Sequence, residues 1–341
     1  MSLALTPDEL ADRLAAAIDA RAEFFDERHE AGCRLFNGFY EGYPDLALDL
    51  YARTLVIHDY ADPPQDARAL ITAREVACAR LPWIETVVLK TRHATNPDAR
   101  RGIVLAGERE ARWLREYGVR YALALREGRD TGFYFDTRNA RAWALRELDG
   151  RRVLNTFAYT GSFGVAALAG GARHVVQLDL DKTALNVAKE SYALNGLPVA
   201  RADFLAGDFW TQVNTLKRAD RLFDCVFLDP PLFAVTTKGR VDLVNHYDRL
   251  LNKVRPLVGH EGYLVAINNA VFVSGAEYLA TLEQICADGY LALEGTMRVP
   301  HDVTGYPETV AGVSPTDPAP FNHATKIAVL RVRRKDKRRA E

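Results

Sequence analysis

The sequence predicts an α/β protein: a parallel sheet with helices on both faces, preceded by a small α+β domain. Three observations carry this. The 341 residues exceed one ordinary domain and suit two. From about 33 to 125 the apolar segments are short and strand-like, whereas beyond Gly128 buried strands alternate with amphipathic helices. Hydrophobic residues at 48% and charged residues at 26% are ordinary globular values, which exclude disordered, collagen-like and coiled-coil chains.

The elements follow in order. Thr6-Pro7-Asp8-Glu9 is a capping box with Pro at the first helical position, and Leu10, Leu14, Ile18 and Phe25 recur at near-helical spacing. Strands are expected at 46–50, 54–58 and 86–90, with a helix over 66–80 between the last two. In the second half a first strand ends at Val153-Leu154-Asn155, and a helix runs from Gly161 to Ala169 until Gly170-Gly171 stops it. A second strand covers 174–179, and Asp181 caps a helix over 183–194. Strands at 222–228 and 262–268, a helix at 275–287 and a late strand at 326–332 complete the pattern. The Pro/Thr/Asp-rich stretch 300–322 reads as one long connection. The expected division is an N-terminal helix at 1–30, the small domain at 31–125, the α/β domain at 126–332 and a basic tail at 333–341.

Formal charge is −1, but Arg331 to Glu341 hold seven Lys/Arg against two acids, leaving a basic tail on an acidic body. The N-terminus lacks a basic segment followed by an apolar one, and no apolar run reaches membrane-spanning length, so a cytoplasmic protein is expected. Cys33, Cys78, Cys225 and Cys286 are scattered, without C-x-x-C or His at ligand spacing; neither disulfide framework nor metal site is indicated.

In an open parallel sheet, ligands bind at the carboxyl ends of the strands, and the informative residues fall there. The first loop, Asn155-Thr156-Phe157-Ala158-Tyr159-Thr160-Gly161, lacks G-x-G-x-x-G spacing and so fits a pyrophosphate poorly. Gly161 at the helix entrance permits close backbone approach, and the positive helix N-terminus suits a carboxylate. Asp179, followed by Leu180, ends the second strand, where a carboxylate accepts from ribose hydroxyls; helix capping is the competing role. Asp208 follows the third strand and suits an adenine amine, with Phe209 packing on the ring. Asp229-Pro230-Pro231-Leu232-Phe233 ends the fourth strand, where substrate would meet cofactor. Together these suit an adenosine with an amino-acid tail.

This pattern resembles the class I S-adenosylmethionine-dependent methyltransferases, with their Rossmann-like sheet, and within them the large-subunit ribosomal RNA methyltransferases. Residues 153–163 resemble the cofactor loop, Gln177-Leu178-Asp179 the ribose acid, and Asp229 to Phe233 the catalytic-loop motif. Thr131 to Arg138 resembles the segment entering the site, which implies cofactor roles for Phe133, Asp136 and Arg138. Cys33 to Tyr51 and Val88 to Arg92 resemble the family's central domain.

The resemblance implies S-adenosyl-L-methionine as cofactor and RNA as partner, with Asp229, Pro230, Pro231 and Phe233 catalytic. Members that methylate cytosine C5 carry a nucleophilic cysteine after strand five; here that segment is Ala266-Ile267-Asn268-Asn269-Ala270. The paired Asn268 and Asn269 resemble the guanine-N7 members, and Cys225 reads as a buried strand thiol. Guanine N7 carries a lone pair and no proton, so its methylation needs alignment more than a base. An exocyclic amine, oriented by Asp229 and the Pro230 carbonyl, also fits. Lys90, Arg92, Lys238 and Arg240 are the expected phosphate contacts. Methylation of a small molecule or protein, and a noncatalytic RNA-binding role, are the competing functions.

Overall fold

The computed structural model describes residues 5–64, 67–311, 314 and 316–340. The first residue of the helix expected over 66–80, and 312, 313 and 315 of the 300–322 connection, lie outside the described residues, as do 1–4 and 341. The chain divides into two units: Met1–Phe135 with Pro300–Pro315, and Asp136–Val299 with Thr316–Glu341.

The first unit opens with α1 (Pro7–Asp19), whose Thr6/Glu9 capping box forms and whose Leu10, Leu14, Ala17 and Ile18 are buried. Its five-stranded sheet has the order β1 (Gly32–Asn37), β2 (Leu46–Tyr51), β3 (Thr54–Asp59), β4 (Thr86–Thr91), β5 (Ile103–Ala106). A short α2 (Gly38–Glu41) follows β1, α3 (Ala67–Arg80) is the crossover that makes β3 and β4 parallel, and α4 (Pro97–Arg101) precedes β5. Faces of α1 and α3 share one core with the sheet, so the helix read as a separate 1–30 segment is integral to this unit.

A hairpin of β6 (Trp113–Glu116) and β7 (Val119–Ala122) follows. The boundary expected at 125/126 falls at 135/136, because Phe133 and Phe135 pack against Tyr121 and Tyr51, whose hydroxyl bonds Thr131 Oγ1 at 2.7 Å. The 300–322 connection is likewise divided. Its first part forms α11 (His301–Thr304), where the Asp302 carbonyl accepts from Arg21 at 2.7 Å. The buried Arg21–Glu41 ion pair at 3.0 Å closes the same network.

The second unit starts with α5 (Arg138–Glu147) and then β8 (Arg152–Thr156), α6 (Ser162–Ala169), β9 (His174–Asp179), α7 (Lys182–Leu194), β10 (Phe204–Ala206), α8 (Phe209–Arg218) and β11 (Phe223–Leu228). A hairpin, β12 (Phe233–Thr236) with β13 (Gly239–Asp242), leads to α9 (Tyr247–Val254), β14 (Val258–Asn268), α10 (Gly275–Cys286), β15 (Leu291–Met297) and β16 (Lys326–Val332). Strand order is β10-β9-β8-β11-β14-β16-β15. The first five are parallel, as the alternation of strands and helices predicts, and β16 runs antiparallel to both neighbours.

Both sheet faces are covered: one core involves α8, α9 and α10, the other α5 and α6, where Phe163 stacks on Phe227 at 4.8 Å. Strand order reverses between β8 and β11, which places a ligand crevice at their carboxyl ends. The basic tail is docked on this unit: Arg338 O accepts from His260 N at 2.6 Å, and Arg334 pairs with Asp336 at 2.8 Å. Among the described residues no helix is long and apolar enough to cross a membrane.

Candidate active site

Local chemistry shapes the β8–α6 loop. Phe157 and Tyr159 hold positive φ of 53° and 51°, unusual for bulky residues, and Gly161 holds 76°. A Cβ on Gly161 would lie 2.6 Å from Ala188 Cβ and 2.8 Å from Gln177 Nε2, so only glycine fits. Beneath the loop runs a buried amide relay: Asn155 Nδ2 donates to Gln177 Oε1 at 2.8 Å, and Gln177 Nε2 donates to Gly161 O at 3.0 Å. Gln177 is the supporting residue that sequence reasoning left without a role; a glutamine inside an apolar strand was the available signal. No side chain caps the start of α6, so its first N–H groups stay open for an acceptor. Thr160 is buried beside them.

Asp179 ends β9 beside this loop. One oxygen accepts Tyr159 N–H at 2.7 Å and the other Asp181 N–H at 2.8 Å, yet burial dominates and raises its pKa above the ordinary carboxylate value. The capping role belongs to Asp181, which accepts from Thr183 N at the start of α7. Leu180 is 67% exposed next to it.

The two residues expected at an adenine pocket have protein partners of their own. Asp208 caps α8 through Thr211 N at 3.0 Å and accepts from Thr236 Oγ1 at 2.6 Å, so each of its oxygens carries a bond, as those of Asp179 do. Phe209 is buried and stacked on Phe157 at 4.5 Å, a core contact rather than a ring offered to a ligand.

The Asp229 segment follows β11. Burial, and then the charge of Asp136, push the Asp229 carboxyl up to about 8. Asp136 Oδ2 accepts from Thr325 Oγ1 at 2.7 Å, while its Oδ1 is buried without a partner, as is Asn155 Oδ1. Arg138 is buried at the start of α5. Pro230 is buried and its carbonyl accepts from Asn269 Nδ2 at 3.4 Å, whereas Pro231 is exposed. Asn268 is buried, donating to Leu243 O at 3.3 Å and accepting Ala270 N–H at 2.9 Å, so it shapes its own loop. Phe233 is 54% exposed with the Arg240 guanidinium 4.8 Å from its ring centre; Arg240 also pairs with Asp242, and Lys238 is exposed on the same hairpin.

Three expected residues lie in the first unit. Phe133 fills that unit's core between Tyr121 and Phe135 with its side chain. Lys90 is fully buried, its ammonium bonded to the carbonyls of Arg101 at 2.5 Å and Gly128 at 2.9 Å. It clamps backbone rather than meeting phosphate, and burial lowers its pKa to about 8. Arg92 pairs with Asp130 at 2.9 Å and lies over the Tyr60 ring.

Cys225 is buried within β11, and burial, then the Asp224 charge, raise its thiol well above the ordinary value. Cys33 lies in β1, Cys78 in α3 and Cys286 at the end of α10, so no cysteine follows a strand end of the crevice. Among the described residues no group of three or more His, Cys, Asp or Glu is placed to hold a metal.

A glycine-dependent loop, an open helix N-terminus, an acid ending the second strand and a second acid at the switch point define an α/β enzyme that binds a nucleoside carrying an amino-acid tail. The chain belongs to the S-adenosylmethionine-dependent methyltransferase family, whose model matches residues 33–292. It is 34% identical over 282 residues to a ribosomal RNA large subunit methyltransferase I of Aeromonas salmonicida (strain A449), covering 82% of this chain and 70% of that one. A ribosomal RNA large subunit methyltransferase of Deinococcus radiodurans is 31% identical over 280 residues, 79% of this chain and 68% of its own. A putative S-adenosylmethionine-dependent methyltransferase structure from Streptococcus mutans shares the fold, with TM-score 0.81 and 20% identity over 97% of this chain and 83% of that one.

The methyl donor is S-adenosylmethionine, and the residues present fit it. The partnerless Asp136 Oδ1 and Asn155 Oδ1 are acceptors for its donor groups, and the open α6 terminus matches its carboxylate. Asp179, held by two backbone N–H groups, is set to accept from its ribose.

Proposed function

We propose that this protein methylates a base nitrogen of large-subunit ribosomal RNA in the cytoplasm, with guanine N7 the favoured atom. The RNA substrate is supported by the names of the relatives, which are ribosomal RNA large subunit methyltransferases. The choice of nitrogen rests on one observation: no cysteine follows a strand end of the crevice, and Asn268-Asn269 occupy the segment after β14. Carbon-5 methylation of a pyrimidine requires a thiolate to add at C6, and buried Cys225 is unsuited to that.

When bound, S-adenosylmethionine supplies a methyl group on a sulfonium centre, already activated for displacement. The protein's task is then alignment and charge. Asn155, Tyr159, Thr160, Gly161 and Asp179 hold the cofactor, with Asp136 and Arg138 entering from the start of α5. The Phe233 ring stacks on the base while Pro230 and Pro231 fix its plane; Lys238 and Arg240 meet the flanking phosphates. Methylation at N7 leaves the guanine ring positive. That charge is the one leaving the sulfonium, so no proton transfer is required, and its arrival on the ring favours the ionised form of Asp229, whose carboxyl burial has pushed up to about 8.

An exocyclic amine is the second reading, supported by the Pro230 carbonyl, which already accepts a long bond from an amide N–H. The test is nucleoside mass spectrometry of large-subunit RNA from a strain lacking the gene, before and after incubation with the protein and isotopically labelled donor. Labelled 7-methylguanosine supports the favoured atom, an N-methylated exocyclic amine the second reading. Labelled 5-methylcytidine would overturn both, and no labelled nucleoside would remove the RNA substrate.

A further inference from the structure

Phe272, in the loop between β14 and α10, has no role in the reading above. It is 75% exposed, the highest value among the exposed large hydrophobics of the described residues, and its neighbour Val271 is 50% exposed. The backbone carrying it is nevertheless fastened from below. Ala270 N donates to Asn268 Oδ1 at 2.9 Å, and Ala270 O accepts from Lys326 Nζ at 3.0 Å and from Val273 N at 3.3 Å. Lys326 is fully buried, and Ser274 closes the loop with a capping box to Glu277. A buried lysine is an expensive way to hold a turn. Here the turn it holds presents an aromatic ring to solvent.

The position of this turn matters. Asn269 Nδ2 lies 3.4 Å from Pro230 O in the Asp229–Phe233 corner, and Phe272 follows Asn269 by three residues, a reach of at most about 11 Å. That corner has its own exposed ring, Phe233, backed by Arg240 at 4.8 Å. Exposed charge on the β12–β13 hairpin is cationic, from Lys238 and Arg240, while Asp242 is buried. Residues 269–273 carry no charge at all. Apolar rings with cations on the hairpin match a chain of flat bases on a phosphate backbone, while the exposed Glu277 that closes the loop is bonded to Ser274.

We infer that Phe272 is a wedge for RNA: it stacks on the nucleotide flanking the target and holds the target base out of its helix, toward Phe233 and Asp229. Duplex or stacked bases hide their edges, so chemistry on one requires extrusion, and an inserted apolar side chain fills the gap. The inference rests on the RNA reading above. Phe272 is a positioning residue, and its effect depends on whether the target is stacked.

The experiment compares wild type, Phe272→Ala and Phe272→Trp on two forms of large-subunit RNA from a strain lacking the gene: folded with magnesium, and heat-denatured without it. Phe272→Ala should lose about tenfold or more in kcat/KM on folded RNA and stay within about threefold of wild type on denatured RNA, with Phe272→Trp restoring activity. Affinity for S-adenosylmethionine, read by calorimetry, should be unchanged in both variants. Equal losses on both RNA forms, or none on either, would overturn the wedge. A wild-type dimer that Phe272→Ala converts to monomer would overturn it too, by assigning the surface to a second copy. Wild type inactive on both RNA forms would instead mark failure of the RNA reading, and the wedge would fall with it.

Discussion

Asp229→Asn separates stability from activity in a way that depends on pH. An unfolded aspartate titrates near 4, whereas Asp229 in the folded protein titrates at about 8, through burial and then the charge of Asp136. A raised carboxyl pKa means that the folded state binds the extra proton between these values. Its stabilising contribution is therefore complete below about pH 4 and drains away as pH rises toward 8. Four pH units at 1.36 kcal/mol each set a ceiling of about 5 kcal/mol. Asp229 is only partly buried as a residue, and solvent screening reduces this to about 2–3 kcal/mol. Asparagine keeps the shape and never ionises. Relative to wild type, the variant should match at pH 4 and gain progressively, to about 2–3 kcal/mol by pH 8.5, while methyl transfer falls at least a hundredfold. Urea unfolding at pH 5, 7 and 8.5, followed by Trp143 and Trp210 fluorescence, reads the first effect; labelled methyl transfer to RNA reads the second. A difference that does not change with pH, or a variant less stable than wild type at pH 8.5, would refute the reasoning.

Gly161→Ala forces a side chain into positive φ and within 2.6 Å of Ala188 Cβ, so S-adenosylmethionine affinity should fall about tenfold or more by calorimetry; an affinity within twofold of wild type would contradict the loop's role. Cys225→Ala should cost about 1 kcal/mol of stability and leave the methylation rate within about twofold. Near-total loss of activity in that folded variant would reinstate a thiolate mechanism. Lys238→Ala and Arg240→Ala should each flatten the salt dependence of RNA binding by roughly 0.7 to 0.9 in slope, whereas Lys90→Met should leave the slope alone and lower the thermal midpoint. The reverse ranking would mean that Lys90 reaches phosphate after all.

Much of the second unit was legible because each core strand is a short apolar run with a clear stop. The strands ending at Asn155, Asp179 and Leu228 and the helix capped by Asp181 follow from local chemistry alone. Elements without such marks escaped. Leu291–Met297 has a half-exposed, irregular pattern broken by a bulge between Leu293 and Gly295, and the β12–β13 hairpin is only four residues per strand. Tyr247, Leu250, Leu251 and Val254 form a legible helical stripe that the sequence reading passed over.

The sequence by itself determined the order of acids and glycine at successive strand ends, because turns, caps and strand stops are short-range and each residue carries its own reason. Which of those residues stay open to a ligand was decided by tertiary structure. Asp208 caps its own helix locally, but the Thr236 hydroxyl from which it also accepts comes from the β12–β13 hairpin, 28 residues on. Lys90 reads as a surface cation until the carbonyls of residues 101 and 128 converge on it. The return of 300–315 to the first unit, through Asp302 and Arg21, has no local signature either. Burial and partnership are properties of segments far apart in the chain, and so are the pKa of Asp229 and the pairing of Arg21 with Glu41 and Asp302.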